Sequence, residues 1–261
     1  MRDLRGKTAV VTGAASGIGR ALASKLAQQG MRLVLADKDE RRLRQVAGEL
    51  KGALAVRTDV SRFAQVEALA RRAFDRFGAV HLLCNNAGVV EYGLAWELPL
   101  ARWRRVLDTN LMGVIHGCLA FVPRMLAQRQ PAHILNTASM AGLLALPMAA
   151  AYSVSKHGVV ALSEALAEEL ALQRARIGVS VLCPGWVATR LLESSRGDAP
   201  AEVRALVERG LRPQTVADRA VRAVREDRFY VLTDPLAAQA VRARAEDIAT
   251  GRLRRRRAVS R

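Results

Sequence analysis

Short apolar runs without polar alternation recur along the chain, each followed by a stretch whose apolar residues return every three or four positions. The runs are Lys7–Thr12, Met31–Ala36, Ala53–Arg57, Val80–Cys84, His133–Thr137, Gly178–Cys183 and Phe229–Thr233. A strand that lacks a polar face is covered on both sides, which is the pattern of a parallel sheet between helix layers. The intervening stretches predict helices over Gly17–Gln29, Asp39–Leu50, Arg62–Phe77, Ala101–Gln128, Ala149–Gln173, Val216–Arg225 and Leu236–Ile248. In Arg62–Phe77 the expected inner stripe is Phe63, Val66, Leu69, Ala70, Ala73 and Phe77. Strict alternation of strand and helix predicts an α/β fold. It is a three-layer, doubly wound, Rossmann-type parallel sheet of about seven strands, with helices on both faces.

No Pro/Gly/Ser-rich linker or internal repeat divides the chain of 261 residues, so one domain is expected over residues 1–251. Within it, residues 187–213 form an insert, helical and irregular over Thr189–Gly210, that departs from the alternation. The formal charge is +17, but six arginines fall within residues 252–261; without them 35 basic face 24 acidic residues, a net of +11. That terminal segment is expected to be a disordered basic tail. Nucleic acid is not an expected partner, because no binding motif accompanies the tail and aromatics are scarce at 4%. Cys84, Cys118 and Cys183 are widely spaced and read as reduced, mostly buried thiols, and the four histidines show no ligand spacing, so no metal is expected. The chain shows no signal-peptide pattern and no apolar run near the roughly 18 residues of a spanning helix, which predicts a cytoplasmic protein with no membrane partner.

The chemistry gathers at the ends of the strands. Gly13, Ser16, Gly17, Ile18 and Gly19 form a G-x-x-x-G-x-G turn between the first strand and the first helix. Glycines allow a tight turn and close approach of a ligand, and the helix N-terminus offers unpaired N–H groups to a pyrophosphate. Asp37 ends the second strand about 20 residues on, where a carboxylate accepts both ribose hydroxyls of an adenosine and repels a 2′-phosphate. Lys38 beside it would accommodate that phosphate, whereas Ser16 stands where a second cation would help. NAD is therefore favoured, with NADP left open. Tyr152 and Lys156 are four residues apart, about 400° around a helix, and so share a face. An ammonium near a phenol favours phenolate and lowers a tyrosine pKa of about 10.

In this order and spacing the motifs resemble the short-chain dehydrogenase/reductase family. They are TGAASGIG at Thr12–Gly19, Asp59-Val60, Asn85-Asn-Ala-Gly88, Asn110, Ser139, Tyr152/Lys156 and Pro184-Gly185. The match spans roughly residues 5–190. The resemblance implies that Asn110, Ser139, Tyr152 and Lys156 are catalytic. Tyr152 would be the general acid/base, Ser139 would hold the substrate oxygen, Lys156 would bind ribose and depress the Tyr152 pKa, and Asn110 would hold a proton-relaying water. It further implies cofactor contacts at Asp59 and Val60 by the adenine and at Asn86, Ala87 and Gly88 by the cleft. Pro184, Gly185, Val187 and Thr189 would lie by the nicotinamide. By the same resemblance the three residues between Tyr152 and Lys156 imply carbonyl/alcohol chemistry, since enoyl reductases of that family tend to space the pair wider.

Substrate would be met by Val90, Leu143, Leu146, Trp186 and Leu191, an apolar wall suited to a hydrophobic secondary alcohol or ketone; the same residues also read as ordinary core. Glu91 and Arg190 are the polar exceptions, either orienting substrate or solvated. Two other readings remain: a 3-oxoacyl-thioester reductase, and a non-catalytic dinucleotide-binding regulator that uses its basic tail. By the same resemblance a homodimer or homotetramer is expected through Ala101–Gln128 and Ala149–Gln173, which carry more apolar surface than one sheet face needs.

Overall fold

The computed structural model describes residues 1–195 and 199–253. Seven strands are present: β1 (Thr8–Thr12), β2 (Arg32–Asp37), β3 (Leu54–Arg57), β4 (Leu82–Asn85), β5 (Ala132–Thr137), β6 (Ile177–Cys183) and β7 (Tyr230–Leu232). They form one parallel sheet in the order β3-β2-β1-β4-β5-β6-β7. The unalternating runs lie where their pattern requires. Residues of β1, β4 and β5 are buried throughout, because helices cover both faces.

The helices are α1 (Gly17–Gln28), α2 (Glu40–Glu49), α3 (Phe63–Phe77), α4 (Leu100–Leu107), α5 (Gly113–Ala127), α6 (Ala150–Leu172), α7 (Ala201–Glu208), α8 (Pro213–Glu226) and α9 (Ala237–Ala249). One core layer joins Leu22, Leu26, Leu35 and Leu43 to Val216, Val221 and Val224. The opposite layer packs Val66, Leu69 and Ala73 against Phe121, Met125, Leu166 and Leu170. Fully burying one such leucine or phenylalanine contributes about 1.5–3 kcal/mol.

Three expectations need correction. The long helix predicted over Ala101–Gln128 is two helices, α4 and α5, joined by a π-helical segment at Asp108–Met112. Phe63 is not in the inner stripe; it is 41% exposed and lies against His116 at 5.5 Å between ring centres. The 28-residue run Leu100–Ala127 also holds an 18-residue window of mean hydropathy 1.3, which by length and composition alone is enough to cross a membrane, where the sequence reading expected no such run. Here its inner face, including Val106, Val114, Phe121 and Met125, is core. Of the basic tail expected over residues 252–261, residues 254–261 lie outside those described, while Arg252 and Leu253 are exposed. Residues 196–198 of the insert are likewise outside them.

Strand order reverses between β1 and β4, and a crevice opens there at the carboxyl ends of the strands, as doubly wound sheets require. The loops after every strand end converge on that crevice.

Candidate active site

A cleft of about 1750 Å³ runs over the strand ends, and 23 of the 25 sequence-predicted site residues line it; Asn110 and Leu143 do not. At one end the turn after β1 is packed to contact. A side chain on Gly19 would place its Cβ 2.0 Å from the Gly13 carbonyl oxygen, and Gly13 at φ +67° lies against the backbone of Ala87. Ser16 N-caps α1 without a side-chain hydrogen bond, so the first-turn N–H groups face the cleft unclaimed by that hydroxyl. Gly17 meets Thr189, whose methyl group would lie 3.2 Å from an added Cβ. This cradle fits a pyrophosphate.

Asp37 is held rather than merely present. Its Oδ2 accepts from the Ala15 N–H at 3.1 Å and its Oδ1 from the Asp39 N–H at 3.0 Å. Each oxygen keeps a lone pair for a ribose diol. Lys38 lines the same rim, and so does Arg42, which the sequence reading missed. Arg42 corrects the expectation that a second cation is absent: it comes from α2 and pairs with Asp39 at 3.4 Å. Asp59 is pushed up by burial but pulled down further by hydrogen bonds from Ser61, with Lys38 and Arg62 assisting; the net result lies below the usual value. Asn86 ties strand ends together, donating to the Thr12 carbonyl at 2.9 Å.

Ser139 precedes a 3₁₀ turn at Met140–Gly142 and accepts from the Ala141 N–H at 3.1 Å. Tyr152 stands in the first turn of α6. Ser153 fixes the approach to that turn by accepting from the Leu146 N–H at 3.1 Å. The Lys156 Nζ lies 5.7 Å from the centre of the Tyr152 ring and donates to the Thr137 carbonyl at 2.8 Å. Lys156 is 2% exposed, and burial lowers its pKa from 10.5 to about 8, a shift Cys183 opposes. The Tyr152 ring keeps some exposure to the cleft, yet dense surroundings push its hydroxyl up from 10.0 to about 12. Hydrogen bonding from Ser139 opposes the rise, and the nearby Tyr92 adds to it. This corrects the sequence expectation: the polypeptide's own groups leave the phenol above its ordinary value, with the ammonium against the ring face.

Asn110 sits one layer behind, fully buried in the π segment. Its Oδ1 accepts from the Val89 N–H at 2.8 Å, while Nδ2 donates to the Val89 carbonyl at 2.9 Å and to Ser155 Oγ at 3.0 Å. The side chain thus braces the loop after β4 against α6 rather than facing the cleft. Across the cleft, Val187 forms a bridge to Leu211, and the Gly185 N–H donates to Thr233 Oγ1. Pro184 offers its carbonyl to the Met140 N–H at 2.8 Å.

Of the residues expected to meet substrate, Val90, Leu146, Trp186 and Leu191 line the cleft. Leu143 does not; the 3₁₀ turn directs it into the core beside Val159 and Val160, and Leu144 lines the cleft instead. Glu91 is not solvated. It is fully buried and pairs with Arg105 at 2.5 Å, and Arg105 also donates to the Ser194 carbonyl at 2.8 Å. Arg190 pairs with Glu193 at 3.8 Å near the surface. The sequence reading missed Arg105 and the whole α9 wall, including Ala240, Ala243 and Arg244. Tyr92 lies in the segment Val89–Gly93 that the sequence reading aimed at the cleft, although it was not singled out.

The short chain dehydrogenase family model matches residues 7–200. A 1-deoxy-11-beta-hydroxypentalenate dehydrogenase of Streptomyces exfoliatus is 38% identical over 251 residues, covering 94% of this chain and 89% of the relative. A CLA biosynthesis dehydrogenase/reductase of Lactiplantibacillus plantarum is 34% identical over 259 residues, 90% of each chain. A short chain dehydrogenase/reductase of Burkholderia phymatum, solved with NAD, superposes with a TM-score of 0.93 at 42% identity, over 97% of this chain and 98% of that one. A 3-ketoacyl-(acyl-carrier-protein) reductase of Brucella melitensis, solved with NADH, gives 0.79 at 32% identity, over 88% and 98%.

Proposed function

The chain belongs to the short-chain dehydrogenase family, and from that premise we propose that it is a nicotinamide-dependent oxidoreductase of hydrophobic secondary alcohols and their ketones. The observation that carries the reading is the convergence of Ser139, Tyr152 and Lys156 at the cleft end opposite the phosphate cradle. The cofactor, when bound, supplies the hydride exchange with the carbinol carbon. The chain's residues hold and protonate. The α1 N-terminus and Gly13–Gly19 receive the phosphates, and Asp37 the adenosine ribose, which favours NAD over NADP. Ser139 donates to the substrate oxygen, and Tyr152 takes or returns the proton at that atom. Lys156 binds ribose hydroxyls and keeps positive charge beside the phenol. A cationic ring drawn to the same place would help bring a pKa near 12 toward operating pH.

The apolar lining Val90, Leu144, Leu146, Trp186 and Leu191 supports a hydrophobic substrate. A 3-oxoacyl-thioester remains the second reading; Asp37 favours NAD over NADP, and the likeness to a reductase of that kind solved with NADH supports that combination. Members of the family generally assemble, and we place the pairing on the outer faces of α5 and α6, where Leu119 and Val154 are 58% and 51% exposed.

The test is a panel of secondary alcohols and ketones followed at the nicotinamide absorbance, with NAD and NADP compared. Wild type turns over apolar members with higher kcat/KM for NAD. Tyr152→Phe lowers kcat by about 100- to 10,000-fold. Unchanged turnover in Tyr152→Phe sinks the mechanism, and a clear NADP preference shows that Lys38 and Arg42 outweigh Asp37.

A further inference from the structure

Arg244, on the inward side of α9, lines the cleft and is half-buried. Its Nη1 donates to the Leu143 carbonyl and to His157 Nε2, the latter at 2.9 Å. The other ring nitrogen of His157 lies 2.9 Å from the Ser153 carbonyl. A carbonyl only accepts, so Nδ1 carries the hydrogen and Nε2 is the lone-pair acceptor. Both groups that hold the guanidinium are therefore neutral. Among the described residues no carboxylate forms an ion pair with it, and its Nε and Nη2 donors have no partner.

The other cations of the cleft are differently placed. Arg42, Arg105 and Arg190 pair with Asp39, Glu91 and Glu193. Lys38 stands at the adenosine end, Arg252 is exposed at the outer rim, and Lys156 belongs to the proton-transfer pair. Asp247, one turn beyond Arg244 and also lining the cleft, has a partner of its own and forms no ion pair with Arg244. The wall beside Arg244 is mixed: Leu144, Leu236, Ala240, Ala243 and Ile248 are apolar, and Gln239 and Asp247 are the polar members of α9. A positioned guanidinium with two open donors in such a wall matches the two oxygens of a carboxylate, which it binds in a fork. Its anchors are the elements that carry the chemistry, since Leu143 lies four residues past Ser139 and His157 five past Tyr152.

We propose that Arg244 receives the carboxylate of the substrate, so that the substrate class is a hydrophobic hydroxy acid or oxo acid. Its hydroxyl or carbonyl lies at Ser139 and Tyr152, and its acid group lies toward α9. The assignment rests on the reading of Tyr152 and Ser139 as the reacting end.

The probes are hydroxycyclohexane carboxylate and a hydroxydecanoate bearing its hydroxyl mid-chain, each as the carboxylate and as its methyl ester. Binding is measured by calorimetry in the presence of NAD on the Tyr152→Phe protein, where turnover does not intervene, with and without Arg244→Gln and Arg244→Lys. The carboxylate binds about 10- to 100-fold more tightly than the ester. Arg244→Gln removes that preference while leaving ester affinity in place, and Arg244→Lys restores part of it. Equal affinity for acid and ester, including no measurable binding of either, overturns the proposal. So does an equal loss for both forms in Arg244→Gln, which marks a residue that only holds the Leu143 turn. The same pairs are then assayed for turnover with Tyr152 intact. A retained acid preference without turnover supports the Arg244 assignment and counts against the proton-transfer reading alone.

Discussion

Replacing Lys156 by methionine should abolish activity and yet stabilise the cofactor-free protein at neutral pH. The ammonium is 2% exposed and donates only to the Thr137 carbonyl among the described contacts. Its pKa falls from 10.5 to about 8, chiefly through desolvation. At about 1.4 kcal/mol per pH unit, holding this charge in the folded state costs about 3 kcal/mol. Methionine fills similar volume without charge but leaves the Thr137 carbonyl without its donor, a loss of about 1–2 kcal/mol. The variant should therefore be more stable by about 1–2 kcal/mol at pH 7 in urea denaturation. The pH dependence isolates the cause. Between about pH 8 and 10.5 the unfolded lysine still binds a proton that the folded one has released, so wild-type stability rises with pH over that window. The variant lacks this rise, and the two curves should cross within the window, wild type becoming the more stable. Groups common to both proteins cancel in the difference. A variant that is less stable at pH 7, with a difference flat from pH 7 to 10, would refute the reasoning, because Lys156 would then carry no desolvation strain.

Two other perturbations probe regions the sequence did not connect. His133, fully buried at the far end of β5, donates from Nε2 to Ser180 Oγ, and burial drops its pKa from 6.5 to about 4 although Asp227 pulls upward. The unfolded state therefore binds the extra proton between those values. Wild type should lose about 3 kcal/mol relative to His133→Gln as pH falls from 6.5 to 4, and a flat difference in urea titrations at these pH values rules this out. At the loop after β4, Arg105→Met or Glu91→Leu singly should cost about 3–5 kcal/mol and raise KM more than they lower kcat. The double replacement Glu91→Leu/Arg105→Met should recover most of the stability, which a denaturation double-mutant cycle reads directly.

The sheet was legible because a strand covered on both faces shows an unbroken apolar run, and each of the seven runs lies within a residue or two of its strand. The phosphate turn, Asp37 and the Tyr152/Lys156 pair were legible because their spacing in sequence is their spacing in space, one turn or one βαβ unit. What escaped was long-range or depended on local winding. Glu91 finds Arg105 fourteen positions away across a loop, and Arg244 meets His157 eighty-seven positions away. Leu143 and Leu144 are indistinguishable in sequence, and only the 3₁₀ turn decides which faces the cleft. The ammonium beside the phenol was readable from spacing, but its cost in desolvation was not, because that depends on what packs around both.

The interruption at Asp108–Met112 shows how these features depend on one another. A continuous α-helix from Leu100 to Ala127 would carry Asn110 as one position in a regular ladder, and neither Gly nor Pro within Asp108–Met112 marks a break. The π winding comes with the amide turned inward, where both of its polar atoms are consumed by Val89 and Ser155. π segments of this kind recur at functional sites because an extra residue in one turn re-aims a side chain without ending the helix. Here the re-aimed side chain fixes the loop after β4 on one side and the first turns of α6 on the other. Gly88 between them leaves room for no more than contact, with Asn110 Oδ1 and Lys156 Nζ 3.4 and 3.6 Å from where its Cβ would lie. The buried lysine is thus held at its depth by a brace that meets the cleft nowhere. Its charge strain persists because the π segment, the β4 loop and α6 fix one another, and relaxation of Lys156 toward solvent would require all three to move.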